Sequence, residues 1–256
     1  MSIKQLLKLK ATACRVPSSM SLREVGIWIY DPNADPDVVH GLDIDMAVVG
    51  LSIDGTDEGI VTPEEMSRMK YGSDGSRRLI LCELALACPS TWRPYWKWGE
   101  DDWPTWVIGM HDGNYVVNIM SPHWHEILRG EVEAIKRAGF DGIWLDCRYA
   151  VPIDTEMADL VMKVRKWLGD GTLVVTNGEH LIQLPDFEKH VDGFGKVKLF
   201  SAETPDPETI DFLEMASKPV FVVEYCPHDE EEIAKYRRLV SEHGWNPCLV
   251  TDAGYA

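Results

Sequence analysis

The chain reads as a single (β/α)₈ barrel of the TIM type, and three observations predict it. Short apolar runs alternate with amphipathic segments along 256 residues, the pattern of parallel strands covered by helices on both faces. About eight or nine such runs can be traced, and a barrel of this type takes about 250 residues. Neither a GxGxxG turn after the first run nor a P-loop occurs, which removes the open nucleotide-binding sheets.

Residues 1–24 read as an N-terminal arm, with Ile3, Leu6, Leu7 and Lys10 spaced as in a short amphipathic helix. Residues 25–256 make the barrel domain. Lys8 and Lys10 interrupt what would be the apolar centre of a signal peptide, so this N-terminus favours a cytoplasmic location.

Val25 to Asp31 is the first strand, and Met46 to Asp54 repeats its pattern. Thr62 then caps a helix with Pro63 at its first position and Glu65 completing a capping box. Arg78 to Leu86 is the third strand. Tyr115 to Met120 is another, followed by Ser121 as cap of a helix opened by Pro122. Trp124, Ile127, Leu128, Val132 and Ile135 give that helix one buried face. It stops at Gly139, and Ile143 to Leu145 climb to Asp146. Met157, Leu160, Val161, Val164 and Leu168 mark the next helix, and the strand from Thr172 leads through Asn177 and Gly178 to Glu179. Val191 to Leu199, a helix from Pro207 to Ala216, Val220 to Tyr225, a charged helix from Asp229 to His243 and Cys248 to Asp252 complete the alternation. Little chain follows Asp252, so a full last helix is not expected.

Residues 88–113 break the rhythm. They hold Trp92, Trp96, Trp98, Trp103 and Trp106 with little periodicity, and so long a segment inside a compact domain is usually a functional loop. Tryptophan faces stack on the C–H faces of sugars, although the same rings could form a satellite core under the loop. The net charge of −17 argues against nucleic acid, which needs a basic face, and suits a neutral or cationic ligand. No run reaches the ~20 apolar residues of a membrane span. Six cysteines without CxxC or framework spacing read as reduced structural thiols. His123 and His125 point apart on a helix and make poor joint ligands for zinc; the leading reading carries no metal and no cofactor.

Carboxylates end several of the runs: Asp31, Asp54, Asp146, Glu179, Glu224 and Asp252. Catalytic groups of such barrels sit at these strand tips. Converging carboxylates repel unless paired, protonated or metal-bound. Two chemistries follow: a glycosidase working with two carboxyl groups, or an enzyme that binds a divalent metal through oxygen ligands. Lysines at the tips are limited to Lys196 and Lys198, which disfavours Schiff-base and phosphate barrels. Aromatic residues beside the acids, among them Tyr30, Tyr149 and Tyr225, tilt the balance toward sugar. Asp146 and Glu179 are the candidate catalytic pair. For each alone a simpler role stands beside that one: a turn or cap for Asp146, a helix-start charge for Glu179.

GFDGIWLD at 139–146, VVTNGE at 174–179, VDGFGK at 191–196 and VFVVEY at 220–225 resemble glycoside hydrolase family 114, as do RPYW at 93–96 and NYVVNIMSPHWHEIL at 114–128. The resemblance runs in order from about residue 25 to 252. It implies a retaining endo-α-1,4-polygalactosaminidase-like enzyme on a (β/α)₈ barrel, with Asp146 as nucleophile and Glu179 as acid/base. It also implies a pocket containing Asp31 and Tyr225. With the tip and loop residues, the expected substrate-binding set is Asp31, Tyr30, Trp92, Tyr95, Trp96, Arg148, Asn177, Glu224 and Tyr225, and the expected partner a carbohydrate polymer or oligosaccharide. Enzymes of the family are often secreted, against the reading of the N-terminus. The chain departs from the family in having Ala87-Cys88-Pro89-Ser90 before RPYW and Val197 after the DGxGK run, where acids are usual. A catalytically silent carbohydrate-binding barrel, or a metal-dependent barrel enzyme, are the alternative readings.

Overall fold

A computed structural model describes residues 20–72, 75–89, 95, 107–111, 114–148, 154–202, 206–227, 229–251 and 254–255. The arm at 1–19, most of the tryptophan-rich segment and Asp252 lie outside the described residues. The strands are β1 (Trp28–Tyr30), β2 (Met46–Val49), β3 (Leu79–Ala85), β4 (Val107–His111), β5 (Asn114–Val117), β6 (Gly142–Asp146), β7 (Thr172–Thr176), β8 (Gly193–Val197), β9 (Val220–Tyr225), β10 (Asn246–Thr251) and β11 (Gly254–Tyr255). The helices are α1 (Pro36–Gly41), α2 (Pro63–Lys70), α3 (Pro122–Ala138), α4 (Asp154–Leu168), α5 (Pro207–Glu214) and α6 (Glu230–Glu242), with 3₁₀ turns at Leu22–Glu24, Glu179–Gln183 and Phe187–His190.

The main sheet runs β1-β2-β3-β6-β7-β8-β9-β10-β11. Every neighbouring pair is parallel except β10 with the terminal β11. The eight parallel strands are those of a (β/α)₈ barrel. First and last parallel strands meet without a ladder. Their seam is tied by a side chain, with the Trp28 indole donating to the Asn246 carbonyl at 3.3 Å.

One expectation is corrected. The segment 115–120 does not enter the barrel: β5 pairs antiparallel with β4 in a separate two-stranded sheet. Asp112-Gly113 is a pair that favours two-residue hairpins, and this signal outweighs the resemblance of Tyr115–Val117 to one more barrel strand. The helix signals do fold as read. Thr62 and Glu65 form the capping box of α2, Ser121 caps α3, and Gly139 ends it at φ 87°, a left-handed backbone that glycine adopts without Cβ strain.

Aspartates clamp the foot of the barrel. Asp45, just before β2, accepts from the N–H groups of Gly26 and Ile27 at 2.8 and 2.9 Å. Asp141, just before β6, accepts from Ile80 N–H at 2.9 Å and pairs with Lys70 and Arg77. Asp192, just before β8, accepts from Leu173 N–H at 2.8 Å and pairs with Arg165. Each carboxylate thus ties its own strand to its neighbour in the sheet, on the face that serves stability.

Two apolar layers follow from the strand parity. Inside the barrel, Trp28, Met46, Val48, Leu79, Leu81, Trp144, Val174, Phe221, Val223 and Cys248 pack together, with the Trp144 ring 5.4 Å from Trp28 and 5.9 Å from Tyr30. Gly195 makes room for that indole: a Cβ there would lie 2.4 Å from Trp144 Cζ2. Outside, Leu145, Cys147, Val175, Phe194 and Val222 pack against the faces of α3, α4 and α5. No helix among the described residues is long and apolar enough to cross a membrane.

Candidate active site

Above the inner layer the barrel turns polar. Side chains two apart on a strand share a face, so Leu81 leads to Glu83, Trp144 to Asp146, Val174 to Thr176, Phe221 and Val223 to Tyr225, and Trp28 to Tyr30. These are residues at the C-terminal mouth. Asp146 is buried, with 4% of its surface exposed. Its Oδ1 accepts from the Arg148 N–H and from Asn177 Nδ2, both at 3.0 Å. Its Oδ2 accepts from Arg148 Nε at 2.7 Å, with Nη2 at 2.6 Å. Among the described residues, the groups that hydrogen-bond to it are donors.

The backbone turns needed for this are specific. Asn177 follows β7 at φ 54°, a left-handed conformation that asparagine tolerates better than most residues, and the turn aims its amide at Asp146. Burial pulls the Arg148 guanidinium down, but the Asp146 charge and hydrogen bond outweigh it and its pKa is raised.

Tyr30 and Glu83 complete the wall beside Asp146. The Tyr30 hydroxyl donates to Glu83 Oε1 at 2.9 Å. Burial, then the charge and hydrogen bond of Glu83, then the charge of Asp146 push the phenol far above its ordinary range. Tyr225 is raised too, by burial first and then by Cys248, Glu83 and Asp31, with Arg148 opposing. Lys198, left-handed at φ 58° after β8, holds its Nζ 5.2 Å from the centre of the Tyr225 ring, within cation–π range. Asp31 accepts from Asn33 N–H at 2.9 Å and takes a hydrogen bond from Tyr255 of β11.

Other expected site residues are placed elsewhere. Glu179 is buried, but its Oε1 accepts from Lys196 Nζ at 2.5 Å and Thr209 Oγ1 at 3.1 Å. Lys196 shares the outward face of β8 with Phe194, and Thr209 belongs to α5. The carboxyl group therefore lies behind the barrel wall, while Asp146 faces the lumen. The Cys147 thiol is pushed well up, by burial first and then by the charges of Asp146 and Glu179. Glu179 Oε2 is buried without a hydrogen-bond partner. Glu224 is fully buried on the outward face of β9, its two oxygens accepting from Phe200 N–H at 2.8 Å and Ser201 N–H at 2.9 Å. It braces the loop after β8 and does not line the mouth. Asp54 lies in the loop beyond β2, where its Oδ1 accepts from Thr56 N–H and Oγ1 and from Ser52 Oγ. Tyr95 packs edge-on against Trp124 at 5.7 Å, in the layer between strands and helices. Trp92 and Trp96 lie outside the described residues.

The mouth thus gathers Asp146, Arg148, Asn177, Tyr30, Glu83 and Tyr225. No family model matches the chain. Uncharacterised proteins of Thermotoga maritima and Methanocaldococcus jannaschii are similar to it, at 26% identity over 209 residues and 27% over 130 residues. These matches cover 69% and 47% of this chain, and 61% and 35% of the relatives, so the chain spans less than two thirds of their length. Among solved structures, the glycoside hydrolase domain of PelA from Pseudomonas aeruginosa has a TM-score of 0.66 at 12% identity, covering 90% of this chain and 96% of that one. Ega3 of Aspergillus fumigatus in complex with galactosamine has a TM-score of 0.68 at 14% identity, covering 93% and 95%. At such identities the likeness shows the barrel fold.

Three residues at the mouth were not among the sequence candidates: Glu83, Lys198 as a ring partner, and Tyr255. Glu83 carried a signal, since a charge inside the buried run Leu79–Ala85 needs a polar end of the lumen to face. Tyr255 carried none.

Proposed function

We propose that the chain is a retaining glycoside hydrolase acting on a polymer of amino sugar, with galactosamine the first sugar to test. The observation that carries this reading is the Asp146 carboxylate at the tip of the fourth barrel strand, facing the lumen and oriented by Arg148 and Asn177. Such a carboxylate can attack an anomeric carbon or stabilise positive charge developing there. The likeness of the fold to PelA and to galactosamine-bound Ega3 supports the sugar class, and so does an acidic chain facing a cationic polymer.

The test is cleavage of galactosamine oligomers, N-acetylated and free, read by mass spectrometry. Wild type shortens the oligomers with retained anomeric configuration by NMR. Asp146→Asn reduces the rate by a factor on the order of 10⁴, the loss expected when a nucleophile is removed. A second reading, a carbohydrate-binding barrel without catalysis, is favoured by one observation: Glu179 and Glu224 are both engaged behind the wall. Binding of the oligomers with no cleavage would establish that second reading in place of the first.

A further inference from the structure

We infer that Lys198 is a specificity-determining residue of the mouth, and that the subsite it forms with Tyr225 takes an amino-sugar unit whose nitrogen is acylated and uncharged. This assignment rests on the hydrolase reading and deepens it, by naming which units of the polymer the site accepts.

Strand parity alone would turn Lys198 away from the lumen. On β8, Gly195 and Val197 face inward, while Phe194 and Lys196 face outward, so the next even position would point outward too. The chain instead leaves the strand at Lys198 with φ 58°, a left-handed backbone that is uncommon for a residue with a long side chain. The turn brings the ammonium to Tyr225, with Nζ 5.2 Å from the ring centre. Tyr225 faces inward at the tip of β9 and keeps 40% of its surface exposed.

The turn is held from several sides. Lys198 N–H donates to the Val223 carbonyl at 2.8 Å. Phe200 and Ser201 donate their N–H groups to the two oxygens of the fully buried Glu224, and Tyr225 N–H donates to Ser201 Oγ at 3.4 Å. The loop is thus laced to the end of β9, which fixes Lys198 relative to Tyr225. Backbone conformations of this kind persist where the surroundings over-determine them, and they cluster at ligand clamps.

Among the described residues the Lys198 ammonium makes no ion pair and no hydrogen bond; its contact is the face of Tyr225. Its donors are open to a ligand, whereas the acids of the mouth are engaged: Asp146 by Arg148 and Asn177, Glu83 by Tyr30 and Asp31 by Asn33 N–H. A sugar unit laid against Tyr225 lies beside this ammonium. A free amine on that unit is protonated near neutral pH and meets a like charge. An acylated nitrogen carries no charge, and its carbonyl oxygen can accept from Nζ. An anionic substituent would pair with Lys198 but would have to enter among three carboxylates. Selection of this kind comes from repelling the wrong unit as much as from binding the right one. The net charge of −17 still attracts a polymer with free amines along its length, and the subsite then sorts its units.

The test compares kcat/KM on two galactosamine oligomers of equal length, one fully N-acetylated and one with free amines. Wild type, Lys198→Gly, Lys198→Arg and Lys198→Glu are measured. Glycine suits the left-handed turn, so Lys198→Gly removes the ammonium and keeps the fold. Wild type is expected to prefer the acetylated oligomer by about 10- to 100-fold, the scale of one like-charge contact near a protein surface, with the difference in KM. The preference shrinks as salt is raised, which a steric or purely structural role would not produce. Lys198→Gly abolishes it, Lys198→Arg retains it and Lys198→Glu inverts it. Wild type that cleaves both oligomers equally or favours the free amines overturns the assignment and leaves the hydrolase reading standing. So does Lys198→Gly with the wild-type preference intact. Cleavage of neither oligomer overturns the hydrolase reading, and calorimetric binding of the same oligomers then decides the subsite. A preference for the acetylated oligomer that disappears in Lys198→Gly upholds it; equal binding, or none, overturns it.

Discussion

Lys196→Met removes the charge from a buried pair and leaves the shape of the side chain largely in place. Glu179 keeps 6% of its side chain exposed and Lys196 20%, with 2.5 Å between Nζ and Oε1. Without the ammonium, Glu179 retains Thr209 as donor, while its other oxygen already lacks a partner. Removing one member of a buried pair costs about 3–5 kcal/mol, because the survivor is left as an uncompensated charge. Lys196 keeps a fifth of its side chain in water, which places the expected cost near the lower figure, about 3 kcal/mol. For a chain of this size that is a fall in melting temperature of roughly 6–12 °C. The assay is thermal and urea unfolding of wild type, Lys196→Met, Glu179→Gln and the double variant. The double variant should recover part of the loss, a coupling of about 0.5–3 kcal/mol. Additive effects below about 1 kcal/mol each, the level of an exposed pair, would refute the placement of Glu179 behind the wall. So would Glu179→Gln with unchanged stability and a loss of cleavage of about 10²-fold or more.

Gly195→Ala pushes a methyl group against Trp144 Cζ2 at 2.4 Å. Overpacking of this kind costs about 1–3 kcal/mol and should appear in the melting curve together with an altered near-ultraviolet tryptophan signal. Glu224→Gln replaces one of two acceptors by a donor that faces an amide N–H of Phe200 or Ser201. A loss of about 1–3 kcal/mol, the cost of an unsatisfied buried group, is expected, with faster amide exchange at both residues. Glu65 is held below its ordinary value of 4.5 by hydrogen bonds from the backbone and hydroxyl of Thr62. A depressed carboxylate adds stability above its unfolded pKa and loses it as pH falls through the folded one. Glu65→Gln should therefore flatten the acid side of the stability profile, by a small amount since the group is exposed.

The barrel was legible because its signals are redundant. Caps, stops and apolar runs agree at Thr62, Ser121 and Gly139, and a wrong count at Tyr115 does not disturb them. The height of a residue in the barrel was legible as well, because a carboxylate that ends an apolar run must sit near its tip. Which face it takes was not. A strand buried on both sides is apolar at every position, so nothing in Val220–Tyr225 says that Phe221 and Tyr225 turn inward and Glu224 outward. Asp146 and Glu224 look alike in sequence for this reason, yet one meets the lumen and the other two backbone amides. Glu179 adds a further obstacle: it stands beyond its strand, and its direction is decided by Lys196 and Thr209, far along the chain.

Asn177 carries two demands at one position. Its backbone needs a residue at ease with positive φ, and its side chain must present an amide hydrogen to Asp146. Glycine meets the first demand and not the second, and glutamine the reverse. Aspartate, which tolerates the turn, would set a like charge against Asp146. Sequence space at this position therefore narrows to one amino acid for as long as the carboxylate opposite is kept, and widens once it is lost. In any set of related chains, the identity of this one loop residue would record which of them still hold an oriented carboxylate at the mouth.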